Sequence, residues 1–172
     1  MDLKEYQEKA VRTVNTKLSD DAQLANFALG ISGEFGEFAV ILDALPDNHE
    51  KAIDEAGDVF FYVANLATFL GEDWRGWFPK TIRRVTIGTA KDKCYYHASQ
   101  IGDAVKKKTA QHHELDRDTI IPHVRTFMEY MMSVLFIYYA LEPQEICAFN
   151  HKKLLKRYPH GFEAEKSKNR EV

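Results

Sequence analysis

The stretch Gly33–Phe61, GEFGEFAVILDALPDNHEKAIDEAGDVFF, constrains the fold more than any other part of the chain. It sets Glu34 and Glu37 three residues apart, and Glu55 and Asp58 three apart again. On an α-helix that offset puts side chains about 60° apart and roughly 4.5 Å along the axis, so each pair shares a face. Pro46 and Asp47 fall in a predicted loop between the pairs, and a short loop lets two helices fold back antiparallel. Four carboxylates can then meet across one helix interface.

The surroundings of these acids are apolar. Glu37 is followed by FAVIL and Asp58 by VFFYV, with Gly33, Gly36 and Gly57 alongside. A glycine inside a helix costs about 1 kcal/mol against alanine, so its expected compensation is close helix approach or room for a ligand. Two unit charges about 6 Å apart at an effective dielectric of about 20 repel by roughly 3 kcal/mol. Four such charges make six pairs, and the total rivals a fold stability of about 5–15 kcal/mol. The cluster must therefore be partly protonated, paired with basic residues, or neutralised by cations. The nearest lysine, Lys51, lies more than a turn before Asp58. Oxygen-only ligation suits hard cations, Mg²⁺ first, with Mn²⁺ as a substitute. A di-iron bundle needs Glu-x-x-His on two helices, and no histidine here has an acid three residues before it.

The rest of the chain reads as an all-α helical bundle in a single domain, 1–172. Apolar residues recur at helical spacing, and sustained alternation is missing. Helices are predicted at about 3–17, 20–44, 50–71, 79–88, 91–110, 118–141 and 143–156. The tail from Glu163 is charged, without an apolar face, and is expected to fray. A net charge of −3 supplies no basic field for nucleic acid. The longest apolar run, Tyr130–Leu141, is too short to span a bilayer, so no membrane is expected. Cys94 and Cys147 lack metal-type spacing and read as reduced thiols of a cytoplasmic protein. Trp74 and Trp77 are expected to pack.

A faint internal repeat sets Glu34 over Gln100, Glu37 over Asp103, Glu55 over Thr126 and Asp58 over Glu129. If it is a duplication, the bundle consists of two degenerate helical-hairpin halves, about 20–73 and 91–160. Near the end, NHKKLLKRYPHGF places Asn150, Lys153 and Arg157 on one helical face. Lysine and arginine there suit a polyphosphate, by point charge and bidentate contact respectively. Taken alone, these residues read more simply as a basic helix terminus that complements the macrodipole before a proline stop.

Together, the acid quartet, the words LGISGEFGEF and DEAGDVFFYVANLATFLG, and the closing NHKKLLKRYPHGF resemble the MazG-type all-α nucleoside triphosphate pyrophosphohydrolases. The resemblance covers about 1–73 and 141–163. It implies cleavage of a nucleoside or deoxynucleoside triphosphate to a monophosphate and pyrophosphate, with Mg²⁺ held by Glu34, Glu37, Glu55 and Asp58. It implies that Glu34 or Glu37 helps deprotonate the attacking water. Lys153 and Arg157 would hold phosphates, and Asn150 would orient them or the ribose. The base would lie in an apolar slot, for which Asn26, Phe27 and Phe61 are candidates. Residues 74–140 intervene where small members of the family run directly into the basic motif, so the chain resembles a fused pseudo-dimer with one site. The alternative is a non-catalytic helical module that senses a nucleotide or a cation. Base and sugar preference, diphosphate, damaged-nucleotide or alarmone substrates, and self-association into a dimer stay open.

Overall fold

The computed structural model describes residues 1–44 and 48–165. Among these, the chain forms six α-helices and no strand: α1 (Leu3–Ala10), α2 (Asp20–Ala44), α3 (His49–Phe69), α4 (Ile87–Gln111), α5 (Arg117–Tyr139) and α6 (Pro143–Arg157). Short 3-10 turns lie at Val11–Thr13 and Trp74–Trp77. The fold is all-α. The expected Pro46–Asp47 loop and the tail beyond Glu165 lie outside the described residues.

Local sequence sets most helix ends. Asp2 accepts from the backbone N–H of Lys4 at 2.9 Å at the start of α1, and Asp116 accepts from Thr119 N–H at 2.9 Å at the start of α5. Pro143 begins α6, where the missing N–H costs nothing. Helix α3 stops at a glycine: Gly71 has φ +68°, its N–H reaches Thr68 O, and Glu72 N–H reaches Ala67 O. This pairing closes the last carbonyls of the helix, and only glycine adopts the left-handed turn without strain.

Helices α2 and α3 form one hairpin and α4 and α5 a second, joined by packing of α2 on α4. Helices α1 and α6 cover α3. Phe35 fastens the two hairpins, meeting Tyr95 and Phe127 edge-on with ring centroids 5.0 and 5.3 Å away. Trp74 and Trp77 are fully buried, as packing residues would be. By length and composition α2 alone among the described helices could cross a membrane; in the fold it lies between α3 and α4 with Glu34 and Glu37 near its middle.

Two expected helices are corrected. The first ends at Thr13 rather than residue 17, because Asn15 accepts from Lys17 N–H at 3.1 Å and turns the chain. The helix expected at 79–88 does not form before Ile87. The preceding segment runs extended along α5: Arg83 N–H donates to Ser133 Oγ at 3.1 Å, the Arg83 guanidinium to Glu129 at 2.7 Å, and Tyr138 O–H to Val85 O at 3.2 Å. These tertiary bonds satisfy the backbone where helical ones would have, and local propensity yields to them.

Candidate metal and phosphate site

Helices α2 and α3 bring three of the four acids together. One oxygen each of Glu34, Glu37 and Glu55 lies within 4.8 Å of the other two. Helical spacing sets the Glu34–Glu37 pair, while the α2–α3 packing supplies Glu55. No ion pair reaches Glu37 or Glu55 among the described residues. Partial burial raises the pKa of Glu55, and the nearby charges of Glu37, Asp58 and Asp54 add to the shift. On a six-coordinate Mg²⁺ adjacent oxygens stand about 3.0 Å apart and opposed ones about 4.2 Å, so the three acids would have to close by up to about 2 Å to share such an ion.

Asp58 has a different environment. Its Oδ1 accepts from Asn150 Nδ2 at 2.8 Å and its Oδ2 from Lys153 Nζ at 2.7 Å. Lys153 also donates to Asp54 Oδ1 at 2.5 Å. The Lys153 and Asp58 side chains are only 20% and 27% exposed, so water screens the pair incompletely. Burial alone would lower the Lys153 pKa, but the facing carboxylates of Asp58 and Asp54 outweigh it and the pKa is raised. Asn150 is fully buried, and its Oδ1 accepts from Tyr6 O–H at 2.7 Å. Both ends of its amide are thus engaged by protein groups.

Helix α6 reaches Asp58 because Gly57 lets it approach. A Cβ at Gly57 would stand 2.8 Å from Asn150 Cβ. Gly30 works the same way within the hairpin, since a Cβ there would fall 2.3 Å from the Tyr62 ring. Gly33 and Gly36 face open space instead.

Glu34 and Asp58 line a cleft of about 200 Å³. Its walls include Asn26, Phe27, Phe61 and Arg157, so the cleft brings together the base-slot candidates, two of the acids and one of the cations. Asn26 is exposed, Phe61 half-buried and Phe27 buried. Arg157 has no ion-pair partner among the described residues, which leaves its guanidinium available to an anion. Lys153 stands outside the cleft wall, committed to Asp54 and Asp58.

Sequence reasoning missed several participants. Asp54 shares Lys153 with Asp58, and its spacing one turn before Asp58 was a usable signal. Tyr62, one turn after Asp58 on α3, carried the same signal, whereas Tyr6, Asn15, Tyr158 and Phe162 had none, because the packing of α1 and α6 on α3 and the turn after Thr13 bring them here. In the second hairpin, three of the four aligned positions are engaged by protein. Asp103 pairs with Lys106 at 2.5 Å and Lys107 at 2.8 Å, Glu129 pairs with Arg83 at 2.7 Å, and Thr126 donates to Pro122 O at 3.0 Å.

Compared with known proteins, the chain matches no family model, no curated protein and no solved structure.

Proposed function

We propose that the protein is a Mg²⁺-dependent nucleotide pyrophosphohydrolase that cleaves a nucleoside or deoxynucleoside triphosphate between its α- and β-phosphates, in a MazG-type bundle. The observation that carries this reading is the convergence of Glu34, Glu37 and Glu55 within 4.8 Å, beside a cleft that also holds Asp58 and Arg157. The donor set is all oxygen and fits a hard cation. When bound, Mg²⁺ would neutralise phosphate charge and lower the pKa of a water.

The chain's own groups would divide the remaining work. Glu34, Glu37, Glu55 and Asp58 would hold the cation. Glu34 borders both the acid cluster and the cleft, so it is better placed than Glu37 to take the proton of the attacking water. Arg157 would bind phosphate oxygens bidentately. Lys153 would balance charge at Asp58 and Asp54 beside the phosphates. Asn150, buried and doubly bonded, would position Asp58 rather than touch phosphate. Phe27, Phe61 and Asn26 would take the base and its polar edge. With the second hairpin's acids paired to Lys106, Lys107 and Arg83, one site per chain is expected.

A non-catalytic helical module that senses a nucleotide or cation is the second reading. It is favoured by the commitment of both Asp58 oxygens to Asn150 and Lys153. A panel of nucleoside and deoxynucleoside triphosphates with Mg²⁺, followed by product identification, separates the two. Pyrophosphate and monophosphate are expected; binding without pyrophosphate release would leave the sensor reading.

A further inference from the structure

Helix α1 carries none of the acids, yet it ends in the same hydrogen-bonded chain. Tyr6 is 1% exposed and its hydroxyl donates to Asn150 Oδ1 at 2.7 Å. Asn150 is 0% exposed and donates to Asp58 Oδ1 at 2.8 Å. The directions are fixed by chemistry. An ionised carboxylate only accepts, so the Asn150 NH₂ must face Asp58 and its carbonyl must face Tyr6. Tyr6 must then donate. The ring cannot easily leave: it stacks on Trp74 at 5.4 Å, and Trp74 Nε1–H is tied to Leu3 O at 2.7 Å. Asn150 cannot swing either, since it lies against the α3 backbone at Gly57.

We infer that Tyr6 is a positioning residue: through Asn150 it orients the Asp58 carboxylate for the cation. The inference rests on the reading of Asp58 as a metal ligand. Without the hydroxyl, the buried Asn150 oxygen faces no donor, and nothing biases the amide to present its NH₂ to Asp58. Partners of this kind, one bond removed from a metal, set ligand orientation and affinity together.

The test is Mn²⁺ binding to the full chain, by titration calorimetry and by the electron paramagnetic resonance signal of free Mn²⁺. Tyr6→Phe should weaken binding about tenfold at temperatures where its helical spectrum is native. Tyr139→Phe is the control, because the Tyr139 hydroxyl is buried and has no partner among the described residues; it should leave the affinity unchanged. Asn150→Ala should weaken binding as Tyr6→Phe does, and the double variant should be no weaker than Asn150→Ala alone. That non-additivity is a readout a purely structural Tyr6 would not produce, and Asn150→Ala alone keeps the inference testable if Tyr6→Phe does not fold, since an unchanged Mn²⁺ affinity there would break the chain from Tyr6 to Asp58. Mn²⁺ affinity unchanged in Tyr6→Phe, or additive losses in the double variant, would overturn the inference and leave the metal reading standing. A wild-type chain that binds no Mn²⁺ would remove both.

Discussion

Asn150 reaches from α6 to Asp58 on α3, its Nδ2 donating to Oδ1 at 2.8 Å across 92 residues of sequence. With Lys153 on the other oxygen, Asp58 is neutralised by the protein, whereas no ion pair reaches Glu37 or Glu55 among the described residues. Glu34, Glu37 and Glu55 instead lie within 4.8 Å of one another, where a cation would relieve their mutual repulsion. Those two kinds of carboxylate should respond differently to mutation, pH and metal.

Glu37→Gln and Asp58→Asn should each reduce pyrophosphate release by at least about a hundredfold, because each removes a ligand charge without changing volume. Circular dichroism should report the native helical content in both. Retained turnover in either variant would separate the acids from the chemistry.

Removing Lys153 should have opposite effects on the metal-free and metal-bound forms. Lys153→Met leaves Asp54 and Asp58 unpaired in a half-buried place, costing about 2 kcal/mol, below the 3–5 kcal/mol of a fully buried pair. Saturating Mg²⁺ should then raise the melting temperature of Lys153→Met more than that of the wild type, since the cation takes over the missing charge. The raised Lys153 pKa means that its stabilisation is complete below the unfolded value near 10.5 and is lost as pH rises through the folded one. Lys153→Met should therefore lose the alkaline part of the stability profile.

Glu55 should give a loss in the same direction, in the acid range. Its folded pKa is raised above the ordinary 4.5, so the folded protein holds this proton more tightly than the unfolded chain. The stabilisation is complete below the unfolded pKa and is lost as pH rises through the folded one. Metal-free wild type should lose stability over that interval, and Glu55→Gln should not. Mg²⁺ should restore the wild type at the upper end, with an affinity that falls as pH drops through the Glu55 pKa. Thermal melts across the interval, with and without Mg²⁺, would show both slopes.

Two helical glycines should respond with opposite signs. Gly57→Ala puts a Cβ 2.8 Å from Asn150 Cβ and must displace α6, costing about 1–3 kcal/mol and weakening the hold on Asp58. Gly33→Ala meets nothing within 4 Å and should stabilise by up to about 1 kcal/mol. Urea melts of the two variants would test the pair.

Much of the helix pattern was legible because its causes are local. The span of α2 was read from the sequence to the residue, and Pro143 and Gly71 mark where one helix begins and another stops. The segment before Ile87 misled, since its tertiary bonds to Ser133 and Glu129 have no trace in its own residues. Asn150, Lys153 and Arg157 were rightly placed on one helix, but their fates differ: Asn150 is buried, Lys153 is held by two carboxylates, and Arg157 lines the cleft. Spacing gives the side of a helix on which a residue lies, not the depth to which the neighbouring helix covers it.

The sequence by itself determined that Glu34 and Glu37 share a helical face, and that Glu55 and Asp58 do, because three residues along an α-helix is a fixed rotation and rise. Only the tertiary structure decided that Glu55 joins the α2 pair while Asp58 turns to α6, and that a tyrosine from α1 stands behind Asn150. Those choices depend on how closely helices approach, which Gly30 and Gly57 permit. Close packing between segments distant in sequence is set by the shape of the whole core, and no local rule contains it.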